Sequence, residues 1–470
     1  MTHTEQRQLF QRASGLTAQL IRNAIHPLWA RQTHPNYSRY LRAFETVQFL
    51  PLEELARLQT RRLRQQLIHA YHYVPFYRLR MTQAGLTPLD IQNAGDMRLL
   101  PILTRQDVEN HADMLLASNV PDRERRRALT RGTSGTRLEF YLDRERFDSR
   151  MASLDRHNGW AGLRVGDWYA RLWNSGDSRG SSDRKSALSR HLLDRSLTLD
   201  TAAVTKEILL DYVALLRRYR PGYLVAQAQA AVRFADFCRA ARLDDIRFRS
   251  MIVTTESLAP GQRTRLQETF GGKIFNRYAC SEVGLIASEC EYHTGLHVNA
   301  DALLVEVEPS DDLPSGVGRV LVTDLLNRSM PLIRYDTGDL ASVGSMVPCP
   351  CGRTLPLLGH VEGRATDFLH LSHNRLVSGP ALTEAISGIR EVRQVQFIQT
   401  DASHVTLKVV AGPGYGLRTE EELRRRLKPY LQEAISFTIV TTDSIHGGAS
   451  TKHGQIATGD GLSTVASGTH

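Results

Sequence analysis

The sequence predicts an α/β protein with a large N-terminal domain of parallel α/β sheets and a β-rich subdomain, joined to a small C-terminal ferredoxin-like α+β domain. Three observations predict it. From Asp167 to about Thr255, strand-like segments (WYARLW, GYLVAQ, SMIVTT) alternate with helical ones (TKEILLDYVALLRRY, AQAAVRFADFCRAARL), the signature of βαβ units around a parallel sheet. From about Gly272 the elements shorten into strands: KIFNRYA, LLVEVEP and GRVLVTDL. After Gly363-Arg364 the order becomes strand (FLHL), helix (GPALTEAISGI), two strands (VRQVQFIQ, HVTLKVVAG), helix (TEEELRRRLKPYLQEA) and strand (FTIVTTD), a βαββαβ order.

The boundaries follow from these shifts of pattern. Residues 1–363 form the large domain, with residues 1–120 as its helical N-terminal part. In that part, LEELARLQTRRLRQQLIHAYHYV places Leu, Ile and Ala at three- and four-residue steps until Pro75 ends the run. Residues 364–457 form the small C-terminal domain and residues 458–470 a disordered tail. No internal repeat is present.

Composition narrows the function classes. The 470 residues contain 41% hydrophobic and 23% charged side chains, ordinary for a soluble globular protein. The N-terminus holds no apolar stretch of signal-peptide length and no run approaches a membrane span, so the expected compartment is the cytoplasm, with no membrane partner. Five cysteines, an odd number, do not suggest a disulfide framework. The net charge of +9 suits a polyanion such as a nucleotide, but it is spread along the chain. Its densest run, RERRR at Arg123–Arg127, contains a glutamate and reads as a solvated helix face, so no nucleic acid partner is expected.

Five stretches carry chemistry. TRGTSGTRLEF contains a Gly, Ser and Thr loop, Gly132, Thr133, Ser134, Gly135 and Thr136, whose uncovered backbone N–H groups can form an anion-binding concavity. It lacks the GxxxxGK[ST] pattern of a P-loop. In FNRYACSEVG, Tyr278 can stack on a purine and Glu282 can hold Mg²⁺ bridging phosphates. In IRYDTGDL, Asp339 sits at a Gly-Asp turn and can accept from both ribose hydroxyls. In GHVEGRATD, Arg364 offers a rigid fork of donors. In GGASTKHGQ, Lys452 can reach a reacting phosphorus as a mobile charge. Taken singly, each is more often a turn, core or surface residue.

In this order the five stretches resemble the adenylate-forming acyl-CoA synthetase superfamily, and within it the phenylacetate-CoA ligase branch with its capsular-polysaccharide-associated and deazaflavin-coenzyme adenylating relatives. The resemblance runs from about Leu52 to Gln455 and includes LQTRRLRQQLIHAYHYVPFYR and LPILTRQDV. It implies that Gly132, Thr133, Ser134, Gly135 and Thr136 wrap the ATP phosphates. It implies that Tyr278 packs on adenine with Ser281 nearby, that Glu282 ligates Mg²⁺ and that Asp339 binds ribose. Arg364 then contacts the nucleotide near a hinge at Asp367, and Lys452 is the catalytic lysine of adenylation.

The implied reaction is attack of a carboxylate on the α-phosphorus of MgATP, release of pyrophosphate, and transfer of the acyl group, most simply to CoA. Transfer to an amine or carrier thiol, AMP transfer to a coenzyme hydroxyl, or a catalytically weakened nucleotide-binding protein are the alternatives. Three departures bear on them. Thr136 and Arg137 stand where many members have Lys and Pro, Ala279 stands where Gly is usual, and Thr451 rather than Gly precedes Lys452. Only six lysines occur, and Lys452 alone is placed on a small-domain loop: Lys408 falls in a strand, Lys428 in a helix and Lys273 at a strand start, while Lys185 and Lys206 fall in the large domain. The acid pocket is expected in the large domain, around Trp173 and Ala279.

A second site is suggested by Cys290 in SECEYHTGLHV and by Cys349 and Cys351 in PCPCGRT. With His297 they would form a closed Cys₃His set, the geometry of structural zinc. His293 is the alternative imidazole, and free thiols are the alternative reading. The resemblance favours zinc, since related members carry similar cysteines and bind zinc there.

Overall fold

The N-terminal helices follow their apolar periodicity. Helix α1 (His26–Thr33) continues a π-helical turn at Ile21–Ile25, and α2 (Tyr37–Val47) buries Tyr37, Tyr40, Phe44 and Val47, one stripe at three- and four-residue steps. In α3 (Leu52–Tyr73) the buried stripe is Leu55, Leu63, Gln66, Leu67 and Ala70. Val74 then takes the extended conformation that a following proline imposes, and Pro75 opens α4 (Pro75–Gln83). So Pro75 ends one helix by starting the next. The structure is a computed structural model that describes residues 15–130, 138–173, 194–201, 204–256, 258–310, 313–364, 368–371, 375–386, 388–401, 404–431, 436–443, 445 and 456–458.

LPILTRQDV leads into α5 (Arg105–Asn110), capped by Thr104 and Asp107. Leu103 forms a parallel bridge with Tyr335, through Leu103 N–H to Arg334 O at 2.9 Å and Asp336 N–H to Leu103 O at 2.9 Å. That segment therefore docks on IRYDTGDL itself.

The RERRR run is not the expected helix face. A single 3-10 turn covers Asp122–Glu124, and Arg126 and Arg127 open β1 (Arg126–Leu129), which pairs antiparallel with β2 (Glu139–Leu142). The reason is alternation: Arg126 lies over the Phe147 ring at 4.3 Å while Arg127 pairs with Glu139 on the other face. The loop Gly132–Thr136 expected to hold phosphate connects these two strands and lies outside the described residues. Helix α6 (Arg144–Trp160), capped by Asp143, follows the hairpin.

One eleven-stranded sheet organises the large domain. Its order is β10-β11-β12-β13-β9-β8-β7-β6-β5-β3-β4. Strands β3 (Tyr169–Trp173), β4 (Ser196–Asp200), β5 (Tyr223–Gln227), β6 (Ser250–Thr254) and β7 (Lys273–Cys280) are parallel. In chain order this part reads 2-1-3-4-5, a doubly wound arrangement. Between them run α7 (Lys206–Tyr219), α8 (Ala228–Ala240) and α9 (Pro260–Phe270), whose apolar faces bury Leu216, Phe234 and Phe270 against Leu172, Leu224 and Met251.

From β7 onward the strands are antiparallel: β8 (Gly284–Glu289), β9 (Leu296–Val298), β10 (Leu303–Pro309), β11 (Val317–Asp324), β12 (Tyr335–Val343) and β13 (Leu357–Arg364). The β-rich part continues the parallel sheet by hydrogen bonding while packing on a core of its own with the N-terminal helices. Hairpin turns between β7 and β8 reverse direction without a helix, so hydrogen bonding runs on unbroken.

The small C-terminal unit contains the expected elements but adds two strands, Arg375–Ser378 and Ile456–Thr458, and pairs them differently. Strands β14 (Phe368–Leu371) and β15 (Arg375–Ser378) form their own hairpin, followed by α10 (Gly379–Ala385). Strands β16 (Val392–Asp401), β17 (His404–Ala411), β18 (Ser436–Thr442) and β19 (Ile456–Thr458) form a four-stranded sheet in the order β18-β17-β16-β19, with α11 (Leu417–Leu427) between β17 and β18. FLHL thus leaves the sheet that a ferredoxin-like fold would give it, because a four-residue partner follows immediately. Leu369, Val377, Leu382, Phe397, Leu407 and Leu423 share one core, so the hairpin packs on the sheet. Strand β13 ends at Arg364; Asp367, the expected pivot, and residues 459–470 lie outside the described residues, as do Lys185 and Lys452. Among the described residues no helix is long and apolar enough to cross a membrane.

Candidate functional site

Strand β7 ends in a bulge between Tyr278 and Ala279, where the register with β8 shifts. A bulge re-aims side chains: Tyr278 turns inward at 8% exposure, whereas Ala279 and Ser281 face solvent. The Tyr278 hydroxyl donates to Asp339 Oδ2 at 2.7 Å and lies 3.1 Å from Thr337 Oγ1. Burial first, and then the Asp339 carboxylate, push the phenol well above its ordinary value, so it remains a donor at neutral pH.

Asp339 is not in a turn. It lies within β12, directly opposite Arg364 of β13, with Arg364 Nε 3.8 Å from Asp339 Oδ1. Gly338, at φ +75°, supplies the kink the sequence suggested while pairing continues around it. Tyr278, Asp339 and Arg364 therefore sit on three strands as one connected group.

Glu282 belongs to the turn between β7 and β8 and is 8% exposed. Its Oε1 accepts from the Tyr335 hydroxyl at 3.1 Å. Tyr335 lies in IRYDTGDL, four residues before Asp339, and its only mark in the sequence is that it is a tyrosine ahead of the acids Asp336 and Asp339, as Tyr278 is ahead of Glu282. Between the acids lies Cys280, whose thiol is pushed well up by burial and then by Glu282, which argues against a nucleophilic role.

The group lies at the carboxyl end of β7, the last parallel strand, where open α/β sheets bind ligands. Beside it, Thr255 after β6 has φ +84°, a strained conformation for a β-branched residue and of the kind that clusters at functional sites. Trp173 closes β3 at the same end of the sheet, half-buried with Arg171 5.1 Å from its ring.

A second cluster lies at the opposite end of β8. Cys290, His297, Cys349 and Cys351 place one ligand atom each within 4.8 Å of one another. Cys290 Sγ is 3.6 Å from Cys349 Sγ, and Cys351 Sγ is 3.3 Å from His297 Nε2. Around a tetrahedral zinc the sulfur–sulfur edge is about 3.8 Å and the sulfur–nitrogen edge about 3.5 Å, so the observed spacings fit.

The surroundings fit as well. His297 Nδ1 lies 3.0 Å from the Leu355 carbonyl, which only accepts, so Nδ1 carries the proton and Nε2 presents its lone pair to the cluster. Burial lowers the His297 pKa, favouring the neutral imidazole a metal needs. Backbone N–H groups of Tyr292 and Arg353 donate to Cys290 and Cys351 at 3.5 and 3.4 Å. Burial alone would raise the Cys349 thiol, but hydrogen bonds from Thr294 and Cys351 bring it below its ordinary value, while burial pushes Cys290 up to about 12. His293, the alternative imidazole, turns away to Glu289 Oε2 at 3.1 Å. The six residues of β8 separate this cluster from Glu282 by about 20 Å, which fits a closed structural site and not a catalytic one.

No family model matches the chain. Phenylacetate-coenzyme A ligase of Thermus thermophilus is 27% identical over 329 residues, covering 68% of this chain and 72% of the relative. Protein CapK of Staphylococcus aureus is 20% identical over 67% of this chain and 70% of its own. A structure of 2-hydroxyisobutyryl-CoA ligase in the postadenylation state, in complex with R3-HIB-AMP, covers 88% of this chain and 91% of its own with a TM-score of 0.69 at 20% identity, a likeness of fold. With the mixed sheet and the Tyr278–Asp339–Arg364 group in place, the chain is similar in sequence to phenylacetate-coenzyme A ligases and in fold to a CoA ligase that forms an acyl-adenylate.

Proposed function

We propose that the protein activates a carboxylic acid with ATP, forming an acyl-adenylate and pyrophosphate, and then passes the acyl group to CoA. The observation that carries this reading is the convergence of Tyr278, Glu282, Asp339 and Arg364 at the carboxyl end of β7. The named activities of the phenylacetate-coenzyme A ligases it resembles support the same chemistry.

In this reading the Asp339 carboxylate, fixed by the Tyr278 hydroxyl, accepts from the ribose hydroxyls, and Arg364 contacts the nucleotide from the neighbouring strand. Glu282, held by Tyr335, is the carboxylate that would hold Mg²⁺, which supplies charge neutralisation on the phosphate oxygens when bound. Gly132–Thr136 would wrap the phosphates and Lys452 would stabilise charge building at the α-phosphorus, each such donor being worth about two to three orders of magnitude in rate. Residues 1–363 act as the large domain and 364–457 as the small one, which turns about Asp367 between half-reactions. Cys290, His297, Cys349 and Cys351 would hold Zn²⁺ as a staple between the end of β8 and the turn before β13.

Pyrophosphate release across a panel of aryl, aliphatic and amino acids, with and without CoA, tests the reading. Acid-dependent release, with a thioester of the expected mass once CoA is added, is the outcome expected. Pyrophosphate release that yields an amide or a free acyl-adenylate in every case would move the acceptor away from CoA, and no release with any acid would remove the ligase reading.

A further inference from the structure

The turn that carries Glu282 is held by a helix that the sequence motifs do not include. Ser281, Glu282 and Val283 present three consecutive carbonyls, a geometry in which no strand partner can satisfy all of them. Two arginines of α6, four residues apart and so on one face, take them. Arg150 donates through Nη1 to Ser281 O at 3.0 Å and through Nη2 to Glu282 O, and Arg146 donates through Nη2 to Val283 O at 2.8 Å.

The two arginines are anchored differently. Arg146 is almost fully buried and forms an ion pair with Asp324 at 2.7 Å, while Asp324 caps the backbone at Leu326 and Asn327. Arg146 is therefore part of the frame. Arg150 has no carboxylate within salt-bridge distance among the described residues; its fork is spent on the two carbonyls, and its Nε is enclosed without a partner. Its hydrocarbon stem crosses Gly284, where an added Cβ would meet Arg150 atoms at 3.2–3.3 Å, and that glycine has φ +85°. The glycine of SEVG is thus required both by the turn and by the arginine lying over it.

We propose that Arg150 is a positioning residue for the adenylation step, fixing the main chain of Ser281–Glu282 so that the Glu282 carboxylate, already held by Tyr335, stays aimed at the metal that accompanies ATP. The inference rests on the reading of Glu282 as the Mg²⁺ ligand. Arg150 acts on the peptide and Tyr335 on the carboxylate, so backbone and side chain are fixed from two directions. Lysine in place of Arg150 cannot bridge two carbonyls with one rigid fork.

The test is the affinity of the full-length protein for ATP, measured by calorimetry with and without Mg²⁺, in wild type, Arg150→Met, Arg150→Lys and Glu282→Gln. The gain in affinity on adding Mg²⁺ is expected to vanish in Glu282→Gln and to fall about tenfold in Arg150→Met and in Arg150→Lys, the scale of a misplaced ligand. Metal-free ATP binding should stay within about twofold of wild type, as the positioning role requires. Should Arg150→Met fail to fold, Gly284→Ala, which displaces the same side chain, is expected to give the same selective loss. A full Mg²⁺ gain in Glu282→Gln removes the reading of Glu282 and the proposal with it. Loss in Glu282→Gln with a wild-type gain in both Arg150 variants overturns the proposal alone, as does an equal fall in metal-free and Mg²⁺-supported binding.

Discussion

The Tyr278 hydroxyl lies 2.7 Å from Asp339 Oδ2, joining the end of the last parallel strand to the middle of an antiparallel one. Removing the Tyr278 hydroxyl takes a hydrogen bond from the Asp339 carboxylate in a largely desolvated place and leaves Arg364 as its charged neighbour. A hydrogen bond to a charged group contributes about 1.5–3 kcal/mol. Tyr278→Phe is therefore expected to raise the KM for ATP about tenfold or more, with the KM for the acid little changed. Equal changes in both would place Tyr278 in general packing instead.

Glu282→Gln keeps the shape of the turn and the Tyr335 contact while removing the charge. Acid-dependent ATP–pyrophosphate exchange is expected to fall by about two to three orders of magnitude, the worth of one preorganised electrostatic group, with an unchanged melting temperature. Near-normal exchange would assign the metal to another carboxylate.

Lys452→Ala should depress the same exchange to a similar extent while ATP binding stays nearly intact, because a charge aimed at the reacting phosphorus acts in the transition state. Of the six lysines, Lys452 alone is expected on a small-domain loop, so Lys408→Ala in β17 is the matched control and should behave as wild type. Unchanged exchange in Lys452→Ala would remove the assignment.

Elemental analysis should give one zinc per chain. Cys290→Ser is expected to lose it and to lower the melting temperature by about 5 °C or more, since metal-binding energy at a closed site is folding energy. A folded, metal-free wild type with the same melting temperature would leave four unmetallated side chains.

Stability should fall on mild acidification because of His157. Burial, followed by the neighbouring Arg156, holds its pKa well below the ordinary value of 6.5. Below 6.5 the unfolded chain binds a proton that the folded chain does not, so unfolding becomes easier as pH falls. The loss is about 1.4 kcal/mol per pH unit until the folded value is reached. Melting curves between pH 7.5 and 5.5 should show the decline, and His157→Gln should flatten it; an unchanged slope in that variant would assign the proton uptake elsewhere.

The sequence by itself determined whatever depends on local pattern. Alternating strands and helices between Asp167 and Thr255 specified the parallel sheet, because periodicities of two and 3.6 residues are properties of single segments. The spacing of Tyr278 and Glu282 already placed an aromatic ring and a carboxylate four residues apart, and the cysteine spacing in PCPCGRT already allowed two thiolates on one turn. Tertiary structure alone decided the relations between segments. It placed Asp339 inside a strand opposite Arg364, chose His297 over His293 by giving the former a carbonyl and the latter a carboxylate, and joined the β-rich strands to the parallel sheet. It also brought Arg150, 132 residues away in sequence, onto the carbonyl of Glu282. An arginine on a helix carries no local mark of which carbonyl it will meet, because that contact exists only once the helix has packed against the sheet.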